Sequence, residues 1–125
     1  MTGWATEELD NVEAADELEV TSLRSDGTLG SPRTIWVVRL GDDLFVRSVK
    51  GRTSAWFRGT QRRHEGRIRS GGVEKDVTFV EADPDLESRI GDAYRGKYRR
   101  YAKNIVDSVL TPGARAATLK LVPRP

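Results

Sequence analysis

The chain contains no cysteine. Disulfides, thiolate metal sites and cysteine nucleophiles are therefore excluded. It has one histidine, His64. A single imidazole does not make a metal centre, and no His/Asp/Glu spacing resembles one, so no metal is expected. No serine sits in a nucleophile elbow, and no catalytic residue can be named. No apolar run approaches the roughly 20 residues that a membrane helix needs. The acidic N-terminus lacks the basic start and apolar stretch of a secretory signal, so a soluble cytoplasmic protein is expected. Aromatic residues make up 7% of the chain and hydrophobic residues 37%, against 32% charged. A chain of 125 residues reads as one domain over 1–125, with a core that is small or completed by a partner.

Charge is present in quantity and is unevenly placed. The net charge is +2, yet residues 1–20 carry seven acids and no Lys or Arg. Residues 47–75 carry nine basic residues against Glu65 and Glu74, and Ala93 onward carries eight against Asp107. Such polarity suits an anionic ligand or nucleic acid, and equally an acidic segment packed beside a basic face.

Periodicity predicts the elements. Thr6 to Ala15 reads as a helix with Thr6 as N-cap. Glu17 to Ser25, Arg33 to Leu40 and Leu44 to Val49 read as strands. Thr53 to Arg63 reads as a short helix carrying Trp56 and Phe57. His64–Ser70 and Val73–Val80 flank Gly71-Gly72, a two-residue link that fits a type I′ or II′ hairpin. That register sets Arg69 opposite Glu74 and Arg67 opposite Asp76, two opposite-charge pairs. Asp83-Pro84 reads as N-cap and first residue of a helix with one apolar face from Leu86 to Val109, breakable near Gly96 and stopped by Thr111-Pro112-Gly113. Ala117 to Val122 forms a last strand. Six short, largely antiparallel strands with inserted helices predict a barrel or sandwich.

The candidate chemistry lies at the end of the third strand. Arg47, Ser48 and Lys50 are followed by Arg52, and Thr53 or Ser54 can cap the next helix. Cations, hydroxyls and a helix N-terminus suit a phosphate. The same residues also suit a solvated strand end. Alternation puts Arg47 and Ser48 on opposite faces, so both reach one ligand only if the strand ends or bulges there. The run Lys97-Tyr98-Arg99-Arg100-Tyr101 interleaves cations and aromatics as single-stranded nucleic-acid surfaces do. A helix with its tyrosines inward explains it equally well, and nucleic acid is the less favoured partner.

The residues Asp26-Gly27, Pro32, Ile35-Trp36-Val37, Asp43-Leu44-Phe45-Val46, Arg47-Ser48, Gly51-Arg52 and Trp56-Phe57 resemble the flavin-binding split barrels, nearest to the deazaflavin-dependent nitroreductase-like group. Over nine-tenths of its length, through TIWVVR and RHEGRIRSGGVEKDVTF, the chain resembles an uncharacterised bacterial domain family that brings no activity with it. The split-barrel resemblance implies a mainly β (α+β) six-stranded split β-barrel with peripheral helices, and a homodimer with the cofactor at its interface. It implies FMN or a deazaflavin, and possible small-molecule oxidoreductase chemistry. Arg47, Ser48, Lys50, Arg52 and Thr53 would then hold the cofactor phosphate and Trp56 would line the ring pocket, while Trp36 is expected in the core. The alternatives are a non-catalytic barrel or sensor without cofactor, and a nucleic-acid-binding module.

Overall fold

A computed structural model describes residues 3–124. Seven strands form one antiparallel sheet: β1 (Leu18–Ser22), β2 (Arg33–Ile35), β3 (Val37–Leu40), β4 (Asp43–Arg47), β5 (Glu65–Ser70), β6 (Val73–Glu81) and β7 (Thr118–Pro123). Their spatial order is β2-β1-β5-β6-β7-β4-β3. The two outermost strands are consecutive in the chain and separated only by Trp36. The sheet therefore curls until its edges nearly meet, forming a split barrel with that residue at the seam.

The stretch expected as one strand over 33–40 is thus two. Its first part pairs with β1 and its second with β4. An alternating sequence does not reveal that a strand changes partners midway. The count becomes seven instead of six.

The Gly-Gly hairpin has the expected register, with Arg69 opposite Glu74 and Arg67 opposite Asp76. Both pairs also form ion pairs, at 3.1 and 2.9 Å. Gly71 and Gly72 adopt φ of 57° and 82°, the two positive values that a type I′ turn requires.

Five helices surround the barrel: α1 (Thr6–Ala14), α2 (Ala55–Arg63), α3 (Glu87–Lys97), α4 (Lys103–Asp107) and α5 (Pro112–Ala116). Ala5, not Thr6, occupies the N-cap of α1, where Glu8 reaches back to the Ala5 N–H at 2.9 Å. Asp83 caps the turn before α3 as expected, accepting from the Asp85 N–H at 2.9 Å. The apolar stripe from Leu86 to Val109 is not one helix, because the chain turns after Lys97 and restarts at Lys103. Thr111-Pro112 also starts α5, with the Thr111 hydroxyl accepting from Ala114 N–H at 3.1 Å.

Two apolar clusters flank the sheet. Leu18, Val20, Leu44, Val46, Ile68, Leu119 and Leu121 fill the barrel, joined by Phe57 from α2 and by Leu9 and Val12 from α1. Outside it, Val38 and Phe45 pack against Ile90, Tyr94, Tyr98, Val106 and Val109. Strand β4 is therefore covered on both faces, and Leu44, Phe45, Val46 and Arg47 are all buried. Alternation then sends Leu44 and Val46 into the barrel and Phe45 and Arg47 toward α3.

Candidate functional site

The end of β4 and the start of α2 face each other across a short connection. Gly51, at φ 75°, turns the chain, and its N–H returns to the Ser48 carbonyl at 2.9 Å. Ser48, buried, shares a 2.7 Å hydrogen bond between hydroxyls with Ser54. Ser54 is the N-cap of α2, yet its side chain does not cap the helix. Its hydroxyl is engaged by Ser48, so the first N–H groups of α2 receive no side-chain cap. Helix α2 lies hard against β1, where a Cβ on Gly59 would stand 2.2 Å from Ser22 Oγ. That close approach sets where the open helix end points.

This corner borders a cleft of about 680 Å3. Its lining mixes polar side chains, Ser48, Lys50, Thr53 and Ser54 with Arg33, Thr34 and Ser108, and apolar or aromatic ones, Ile35, Trp36, Val49, Trp56, Ile105 and Val109. Trp36 is half-buried and is not a core residue in the sense expected. One ring face stacks on Tyr98 at 3.8 Å between centroids and 4° between planes. Trp56 packs edge-on to Phe57 at 5.9 Å. Val49 and Ile105 stand exposed at the rim, at 51% and 45%.

Four of the six residues singled out in the sequence offer side chains to this cleft, Ser48, Lys50, Thr53 and Trp56, although the Ser48 hydroxyl is engaged by Ser54 and the Thr53 hydroxyl donates to the Lys50 carbonyl at 3.3 Å. The two arginines do not. Arg47 borders the cleft but is only 2% exposed. Its Nε donates to Thr118 Oγ1 at 2.9 Å, Nη1 to the Val109 carbonyl at 3.0 Å and Nη2 to the Glu87 carbonyl at 3.2 Å. Burial holds this guanidinium below its ordinary pKa. Arg47 is tied into the protein itself because its face of β4 is roofed by α3. Arg52 points away from the cleft. It donates to both Glu81 carboxylate oxygens, at 3.1 and 3.3 Å, and to the Ala116 carbonyl at 2.8 Å.

Ile105 and Val109 come from α4 and the turn after it, about 60 residues beyond β4. No local pattern announces them as cleft residues. His64 lies elsewhere, as the left-handed C-cap of α2. Of the Lys97–Tyr101 run, Lys97 and the tyrosines are used internally, while Arg99 and Arg100 are exposed. Tyr98 is fully buried, its hydroxyl donating to the Asp16 carbonyl at 2.7 Å, and Tyr101 packs beside it at 5.9 Å. Tyr98 offers no face to a nucleic-acid base. Among the described residues there is no group of acids and histidine that could hold a metal, and no helix long and apolar enough to cross a membrane.

Residues 8–121 match the family described as an uncharacterized protein conserved in bacteria, DUF2255. The chain belongs to that family. No curated protein matches the sequence. Among solved structures, the chain resembles the conserved hypothetical protein Rv2991 of Mycobacterium tuberculosis with a TM-score of 0.64 at 15% identity, covering 99% of this chain and 83% of that one. It resembles an F420 reductase with a TM-score of 0.56 at 16% identity, over 93% and 90% of the two chains. It resembles an FAD-binding protein of Mesorhizobium loti with a TM-score of 0.56 at 11% identity, over 98% and 91%. At these identities this DUF2255 member shares a fold with them, which accords with the split barrel built above.

Proposed function

We infer that this protein binds a flavin-type cofactor, FMN or a deazaflavin, in the cleft between β4, α2 and α4, and serves as an oxidoreductase on a small molecule. The observation that carries this reading is that a cation, three hydroxyls, a helix start and two indoles line one cleft. Lys50 supplies a mobile cation, Ser48, Ser54 and Thr53 supply hydroxyls, and the uncapped start of α2 supplies backbone N–H groups. That donor set fits a phosphate. Trp56 and Trp36, both lining the cleft, suit a planar ring. Similarity to an F420 reductase and an FAD-binding protein supports the same reading. Bound there, the cofactor supplies hydride chemistry, while the chain orients it and shields it from water. Arg47 and Arg52 act behind this surface, bracing the walls. A second copy of the chain would cover the exposed Val49 and Ile105 and close the cleft, so a homodimer is part of the proposal.

The test is a titration of FMN, riboflavin and a deazaflavin into the wild type, K50A and T53A. Hydrogen bonds to a charged group contribute about 1.5–3 kcal/mol, so K50A should weaken FMN roughly tenfold to hundredfold and leave riboflavin nearly unchanged. Equal wild-type affinity for FMN and riboflavin would show that no phosphate is read. Absence of any binding would remove the cofactor reading.

A further inference from the structure

Arg47 faces a second cavity on the far side of its side chain, of about 340 Å3, between α3, α5 and the turn before α3. Arg95, Arg115 and Ser88 line it together with Arg47. Three of the five N–H groups on Arg47 are taken, all by neutral acceptors. Among the described residues no carboxylate forms an ion pair with this buried charge, whereas Arg95 pairs with Asp92 and Arg115 with Glu87. Glu87 acts on Arg47 only at longer range, and burying a cation without a direct ionic partner is costly.

The floor of the cavity is Gly91, in the interior of α3. Glycine there is less favourable than alanine. No clash explains it. A Cβ at this position would lie 3.6 Å from Leu110, 3.7 Å from Arg95 Nη1 and 4.0 Å from Arg47 Nη1, which are ordinary contacts. The missing methyl instead leaves open the spot where two guanidinium nitrogens converge.

We propose that this cavity is an anion site, separate from the cofactor cleft, in which a phosphate-like oxyanion bridges Arg47 and Arg95 above Gly91. Arg115 and the Ser88 hydroxyl complete the ring of donors, so that hydrogen-bond donors come from three different elements. Three terminal oxygens of a phosphate suit such an arrangement better than the two of a carboxylate. Glu87 and Asp85 also border the cavity. Glu87 is engaged by Arg115 at 2.6 Å, while Asp85 opposes the anion.

The experiment is an NMR titration of the full chain with inorganic phosphate at constant ionic strength, with acetate as a second arm, following backbone amides and the Arg47 Nε–H. Saturable phosphate shifts centred on Ser88, Gly91 and Arg47 are expected, with acetate weaker. G91A should melt higher without phosphate, by roughly 2–5 °C, yet bind phosphate at least tenfold more weakly. R95Q should weaken phosphate roughly tenfold, and D85N should tighten it. Shifts confined to residues 48–56 would place the anion in the cofactor cleft and overturn the proposal. So would unsaturable shifts, acetate binding as tightly as phosphate, or undiminished phosphate binding by G91A. Loss of flavin binding with these shifts intact would leave the site standing without the cofactor reading.

Discussion

Arg47 and Arg52 are five residues apart and have opposite energetic characters. Arg47 is buried and ties β4 to β7, α3 and the turn after α4. Replacing it by Ala removes three donors and leaves a hole, so R47A should destabilise the protein by about 2–4 kcal/mol in urea denaturation. R47M should lose less, since it fills the space and relieves the buried charge. Arg52 is about half exposed in its ion pair with Glu81, so R52A should cost under about 1 kcal/mol. If R47A unfolds no more easily than R52A, the bracing role assigned to Arg47 is wrong. Ser48 shows why local reading reached only half of this. Alternation put it on the face opposite Arg47, yet both border the cleft, and its partner Ser54 became visible only once the turn at Gly51 was known.

At the scale of elements, the β5–β6 hairpin was legible in full, because its turn chemistry and its two charge pairs lie within a few residues of each other. Its two glycines are nevertheless not equivalent. A Cβ at Gly72 meets nothing within 4 Å, whereas one at Gly71 would stand 2.2 Å from the Asn11 carbonyl of α1. G72A should therefore cost only the left-handed backbone term, about 1–2 kcal/mol. G71A should cost distinctly more, because α1 has to move off the hairpin. Equal losses for the two variants in thermal or urea denaturation would mean that α1 does not dock there. The stripe from Leu86 to Val109 was legible as apolar positions but not as two separate helices. A helical spacing persists across a break when both pieces cover the same core, and here Tyr98 and Val106 join one cluster from either side of the turn.

For the whole molecule, alkaline stability follows from α3. Lys97 donates to the Val37 carbonyl at 2.8 Å, and burial lowers its pKa from 10.5 to about 8. Between pH 8 and 10.5 the unfolded chain holds this proton and the folded chain does not, so stability should rise with pH across that window. Burial pushes the Tyr94 and Tyr98 phenols above their ordinary 10.0. Unfolded tyrosines therefore ionise first, and stability should fall again above about pH 10. Urea midpoints at pH 7.5 and 9.5 test this, with K97M expected to flatten the rise; an identical slope in K97M would assign it elsewhere. Sedimentation at micromolar concentration tests the proposed dimer against the chain mass of 13.9 kDa, with a mass near twice that value expected. A monomer would leave the cleft rim at Val49 and Ile105 open to water.

The sequence by itself determined the strand periodicity, the hairpin register, the lack of thiol chemistry and the hydroxyl-and-cation cluster after β4. Each depends on neighbours in the chain, on backbone propensity, or on residue types that are present or missing. Only the tertiary structure decided that the strand over 33–40 changes partners at Trp36, that Arg47 is roofed by α3 while Lys50 faces a cleft, and that α4 supplies the cleft's far wall. The last two outcomes depend on contacts between segments about 40 to 70 residues apart. There, burial of a whole face outweighs the preference of any single residue, and no local pattern records which face it will be.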